Sequence, residues 1–185
     1  MMILVALLIA GAFIALFGRT LKTHPIPFYA IDVVLDLLLL YGYANPLPPL
    51  VWAGLLVFVQ RCLLAQALLV IVMFVGVLGE GSRVRRHLMP IRGELSVVAA
   101  ILVLGHAVPH LPYLGRVLGD LGGVPPSRGV SFLISAVLLV LLAALTVTAC
   151  RAVRRRMNAR TWKRGQWLTN PFFGLFYVHL FLVLL

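Results

Sequence analysis

The sequence predicts an all-α fold, a polytopic bundle of about six transmembrane helices forming one domain over residues 1–185, and three observations carry that expectation. Hydrophobic residues make up 62% of the 185-residue chain and charged residues only 11%. With a mean hydropathy of +1.07, that is too little polar surface to coat a soluble domain. The apolar residues also fall in long runs separated by short gaps, and 13 of the 16 Lys and Arg residues lie in the first, third and fifth of those gaps. The net charge of +11 therefore reads as membrane topology beside lipid headgroups, and it argues against a nucleic-acid partner.

Each element follows from its run and its breakers. Residues 1–17 lack a basic leading region, and Gly18-Arg19 is no small-x-small cleavage site, so this run reads as a retained helix. The second run, 28–44, carries Asp32 and Asp36 and stops at Asn45-Pro46, with Pro48-Pro49 turning the chain. The stretch 50–78 exceeds a single span of ~20 residues and is interrupted by Gln60-Arg61. That predicts an interfacial segment over 50–59, with Trp52 at the headgroups, and a third helix over 61–78.

A fourth helix is expected over 93–111, ended by Pro109 and Pro112, and a loop rich in Gly and Pro over 112–129. The fifth helix covers 130–150. After the basic stretch 151–164, the last helix starts near Trp162 and runs to 185 with Pro171 as a kink. Placing Asn170-Pro171 as cap and first-turn proline would leave only 15 residues, short for a span. The positive-inside rule then puts the three basic gaps in the cytoplasm and both termini outside the cell membrane, with Arg61, Arg116 and Arg128 on the outer side.

Two histidines lie inside apolar runs at matched distances from basic stretches. Arg92 to His106 is 14 positions and Arg164 to His179 is 15, which places both rings roughly 21 to 23 Å along their helices. Ionisable groups are costly in a bilayer and mark function there. Imidazole is a common axial ligand of haem iron, so a pair at one depth points to one haem held between His106 and His179. No C-x-x-C-H is present for covalent attachment, which predicts b-type haem. Cys62 and Cys150 fall at opposite ends of their helices, too far apart for a disulfide, and read as small buried apolar residues.

The run Val72-Met73-Phe74-Val75-Gly76-Val77-Leu78 belongs to a wider pattern. It is joined by Met89-Pro90-Ile91-Arg92-Gly93-Glu94-Leu95-Ser96 leading to Leu104-Gly105-His106, and by Trp162-Lys163 leading to Tyr177-Val178-His179-Leu180. Together they resemble the ferric reductase-like transmembrane domain, in particular small bacterial members without a reductase domain. The resemblance covers about 62–185 and implies a helix bundle carrying haem b and moving electrons across the bilayer. Relatives of that family include NADPH oxidases, iron reductases and the haem membrane subunit of the bacterial methionine sulfoxide reductase system.

Larger members of that family hold two stacked haems on two histidines from each of two helices. Here, counting back 14 residues from His106 gives Arg92, and 13 from His179 gives Gln166. The resemblance therefore implies one haem, with Arg92 and Gln166 available to a haem propionate or a flavin phosphate.

The other polar residues carry less. His110, one turn beyond His106, is the alternate ligand, or else it snorkels toward the outer surface. His24 and His87 read as solvated loop residues, and Arg61 as a snorkelling residue or a partner of a propionate. Asp32 and Asp36 share a helix face at i, i+4; as buried acids they relay protons or face quinone, or else Asp32, close to the cytoplasmic surface, pairs with Arg19 or Lys22. The expected function is that of a membrane cytochrome b. No NAD(P)H-binding motif is present, so a separate flavoprotein or quinol would supply electrons to an outward-facing acceptor. The alternative is a haem-free scaffold or small transporter whose histidines hydrogen-bond between helices.

Overall fold

The computed structural model describes residues 2–119 and 125–184. Among the described residues every regular element is helical. Five helical stretches are long and apolar enough to cross a bilayer: Met2–Thr23, Ile26–Ala44, Pro49–Val75, Arg83–Arg116 and Pro126–Ala149. A shorter apolar helix, Thr169–Leu184, follows them. The protein is an all-α polytopic membrane bundle, the architecture in which backbone donors and acceptors are satisfied within each span. The chain divides into two compact units, Met1–Pro109 and His110–Leu185.

The first unit contains α1 (Met2–Thr23), α2 (Ile26–Ala44), α3 (Pro49–Leu55), a π-helical turn (Leu56–Gln60) and α4 (Leu63–Val75). It continues through α5 (Arg83–Leu88), a 3-10 turn (Met89–Ile91) and α6 (Arg92–Ala107). α6 is its centre: α2 and α4 pack on α6, and α1 packs on α4. The buried residues of α1 are Ala6, Ala10, Ile14, Gly18 and Leu21, a stripe with a period of three to four. Lipid tails are as apolar as leucine, so helices in a bilayer associate by close van der Waals approach, which small residues permit. A Cβ at Gly18 would lie 3.2 Å from Ile91, which fixes the end of α1 beside the start of α6. Tyr29 meets Glu94 and Asp36 meets Gly105. Both partners advance together in number, so α2 and α6 run parallel.

Sequence breakers act where expected. Pro27 sits in the first turn of α2, where its missing N–H costs nothing. Asn45 leaves α2 in an extended conformation and donates Nδ2 to the Tyr41 carbonyl at 3.2 Å, just before Pro46. Trp52 of α3 packs edge-on to Tyr43 at 5.4 Å. It also covers Gly42, where a Cβ would come within 2.6 Å of the indole.

The interruption at Gln60-Arg61 is a true break. Arg61 N–H reaches back five residues to the Leu56 carbonyl at 3.0 Å, and Cys62 adopts φ 60°. That left-handed conformation stops one helix and restarts another, so the third helix occupies Leu63–Val75 and not 61–78.

The second unit contains α7 (Leu111–Gly119), α8 (Pro126–Ala149), α9 (Arg151–Arg156), α10 (Ala159–Gln166) and α11 (Thr169–Leu184). α8 is its axis, packing against α11 and, more lightly, against α7, α9 and α10. The Arg154 guanidinium lies 5.2 Å from the Trp162 ring, and Asn158 caps α10 through Oδ1 to the Arg160 N–H at 2.7 Å. Both cysteines are free, Cys62 buried and Cys150 half-buried.

Two expectations need correction here. Part of the loop foreseen over 112–129 is helix α7, in which Pro112 occupies the tolerant first turn and Tyr113 stacks on Phe132 at 4.5 Å. The last helix does not begin near Trp162. The chain turns at Trp167 and Leu168, and α11 starts at Thr169 with Pro171 in its first turn. Proline in the first turn satisfies the backbone better than a mid-helix kink, which loses a hydrogen bond.

Candidate functional site

His106 sits near the end of α6, half-buried, with Nδ1 2.6 Å from the Gln60 carbonyl oxygen. That carbonyl belongs to the last residue of the π-helical turn, and the break at Arg61 and Cys62 releases it from the regular helical ladder. A carbonyl only accepts, so Nδ1 must donate, and the neutral ring then carries its lone pair on Nε2. The broken helix thus supplies the acceptor that sets the tautomer of His106. Irregular backbone at membrane depth is tolerated where protein groups satisfy it.

His179 is held through the same ring nitrogen by different means. Its Nδ1 lies 3.0 Å from Ser131 Oγ, 3.3 Å from Ser135 Oγ and 3.3 Å from the Ser131 carbonyl. Ser135 donates its own hydroxyl hydrogen to the Ser131 carbonyl at 2.9 Å. With that hydrogen committed, Ser135 Oγ can only accept from the ring, as can the carbonyl. An Nδ1–H on the ring suits these two acceptors, while Ser131 Oγ, the nearest partner, can donate or accept. Ser131 and Ser135 stand one turn apart on α8, on the face that meets α11.

Each remaining sequence-predicted residue has a defined place. Arg92 begins α6, half-buried and about 21 Å of helical rise from His106, so the two do not meet. Its carbonyl accepts from Ser96 Oγ at 3.0 Å. The Gln166 side chain lies outside the described residues. His110 ends a 3-10 turn that Pro109 imposes, with its ring edge-on to Phe132 at 6.4 Å. His24 is an exposed loop residue as expected, His87 is exposed but lies in helix α5 and not in a loop, and Arg61 is exposed at the helix break.

Asp32 and Asp36 are each only 8% exposed. Neither pairs with Arg19 or Lys22: Oδ2 of Asp32 and Oδ1 of Asp36 are buried without a hydrogen-bond partner. Glu94, also buried, accepts from the Tyr29 hydroxyl. Among the described residues, no group of three or more His, Cys, Asp or Glu could hold a bare metal ion.

Sequence reasoning missed the partners that orient the histidines. The Gln60-Arg61 interruption marked the right place, but a carbonyl as acceptor is invisible in side-chain identity. Ser131 and Ser135 gave a usable signal, two hydroxyls at i, i+4 in an otherwise apolar helix.

Comparison with known proteins places the chain beside one relative. It is 43% identical over 122 residues to an uncharacterized protein of Treponema pallidum (strain Nichols), a match covering 65% of this chain. The match spans about a third of that relative, 34% of its length. No family model matches the chain, and no solved structure does.

Proposed function

We propose that the chain is a haem b-binding integral membrane protein that transfers electrons across the cell membrane, with His106 and His179 as the two axial ligands of one iron. One observation carries the reading: each of these histidines is held through Nδ1 by a neighbouring helix of its own unit. Histidines that ligate metals are held this way, their other ring nitrogen donating to a carbonyl or another acceptor that fixes tautomer and orientation. The resemblance of 62–185 to the ferric reductase-like domain adds to it.

When bound, haem b would supply a one-electron carrier inside the apolar layer. The chain's residues orient the ligating nitrogens and exclude water. Arg92 and Gln166 are assigned to an anionic group at the cytoplasmic side, a flavin phosphate, because a propionate of a haem on His106 does not span the roughly 21 Å of helical rise to Arg92. Electrons come from a separate flavoprotein or from quinol at the cytoplasmic face and leave to an outward-facing acceptor.

The same two hydrogen bonds also suit a second reading, a haem-free scaffold or small transporter in which the histidines tie helices together. A pyridine haemochrome assay on protein purified in mild detergent, from cells with ample haem, separates the two. About one non-covalent haem b per chain supports the cytochrome, and the absence of a Soret band supports the scaffold. The orientation is tested by cysteine labelling: substitutions at Ser82 and Asn158 should label from the cytoplasm and one at Ser127 from outside. Labelling of the Asn158 and Ser127 variants from one face would overturn it.

A further inference from the structure

Asp32 and Asp36 share one face of α2, about 5–6 Å apart at Cβ. Asp32 lies six residues into the 19-residue helix and Asp36 ten, so they sit roughly 9 and 15 Å along a helix about 28 Å long. Both are 8% exposed, and each has a buried oxygen with no hydrogen-bond partner. Asp36 is aimed at α6: a Cβ on Gly105 would overlap its carboxyl group, and would lie 2.7 Å from Val59. Glycine is what lets the acid occupy the helix interface.

The charged and titratable groups around the pair do not neutralise it. From α6 come Glu94, engaged by Tyr29, His106, engaged by the Gln60 carbonyl, and Arg92 at the helix start. From the chain between α3 and α4 come the buried Cys62 thiol and Arg61, which is exposed. From α1 come Arg19 and Lys22, both exposed. Among the described residues, neither aspartate forms a salt bridge. An uncompensated carboxylate at membrane depth costs several kcal/mol, and a bound proton removes the charge without needing further ligands. A metal ion would need more donors than the pair offers.

We propose that Asp32 and Asp36 form a proton-binding pair inside the membrane span, Asp32 receiving a proton from the end of α2 nearest Glu94 and Asp36 holding it near the middle of the helix. An O–H bond forms on Asp32 as a water-borne proton is given up. That bond breaks as one forms on Asp36, reached by side-chain rotation or through one water. No electron moves in either step. The inference is independent of haem, and a haem-free protein would leave it standing.

The chain contains only three aspartates, Asp32, Asp36 and Asp120. Full-length Asp120→Asn protein, reconstituted in lipid with ¹³C at its aspartate carboxyls, therefore reports the pair alone in the infrared. At neutral pH, where water-exposed carboxyls are ionised, the expected result is an isotope-shifted carboxylic C=O band that moves again in D₂O. The further variant Asp32→Asn/Asp36→Asn should lose it completely. Absence of the band in Asp120→Asn protein overturns the proposal, so the decision survives a double variant that fails to fold. A band persisting in a folded double variant overturns it as well. Loss of the band on adding Na⁺ at constant pH would put a metal cation in the proton's place, and this too refutes the pair as described.

Discussion

The two units hold their histidines with different materials. In the first, His106 donates to a main-chain carbonyl freed by a helix break. In the second, His179 Nδ1 meets a small network of Ser131 and Ser135 on an unbroken helix. A main-chain acceptor cannot be deleted by a point substitution, whereas a hydroxyl can. The anchor of His106 is therefore robust to sequence change and depends on backbone geometry, while that of His179 is tunable one side chain at a time. Both anchors act on the same ring nitrogen, Nδ1.

The sharpest way to break this comparison is to remove the rings. Under the cytochrome reading, His106→Ala or His179→Ala should each abolish the low-spin haem spectrum, giving a high-spin form or apoprotein, because one axial position opens. His110→Ala and His24→Ala should leave the spectrum unchanged. Loss of the low-spin signal in His110→Ala but not in His106→Ala would move the ligand by one turn.

Next in size is the backbone around the first anchor. Gly105→Ala forces a Cβ into Asp36 and Val59 and should destabilise the protein by about 1–3 kcal/mol, read as a lower thermal midpoint in detergent. Gly174→Ala, in α11, meets nothing within 4 Å and should be neutral or stabilising by up to ~1 kcal/mol. Equal effects at the two positions would mean that α6 is not closely packed at Gly105.

The smallest effects belong to the serine network. Ser131→Ala removes the nearest hydroxyl and should cost about 0.6 to 1 kcal/mol, with Ser135→Ala costing less because its oxygen is the more distant partner. Under the cytochrome reading each should also shift the haem midpoint potential, through altered donation from Nδ1. Unchanged potentials in both variants, with haem bound, would confine the serines to packing.

Much of the fold was legible because membrane helices announce themselves by length. The breaks at Asn45-Pro46 and Gln60-Arg61 stand where proline and paired polar residues put them. Legibility failed where a glycine- and proline-rich stretch still became helix α7. Pro112 falls in its first turn, and aromatic stacking of Tyr113 on Phe132 contributes the contact. It failed again at Pro171, where a span-length argument outweighed a local one that the structure satisfies. In the candidate site, the histidines and buried acids were visible as polar residues in apolar runs. Their partners were not, since one is a carbonyl and another is Tyr29, far from Glu94 in sequence.

The bend at Cys62 has a consequence for membrane thickness. Drawn as one straight helix, the 27 residues of Pro49–Val75 would measure about 40 Å, well beyond a hydrocarbon layer of ~30 Å. A straight rod of that length would have to tilt by roughly 40° or thicken the lipid around it. The left-handed residue instead breaks the rod, so the 27 residues do not run as one straight helix. The surplus length that the bilayer cannot accommodate is the same length that exposes a peptide carbonyl to an imidazole.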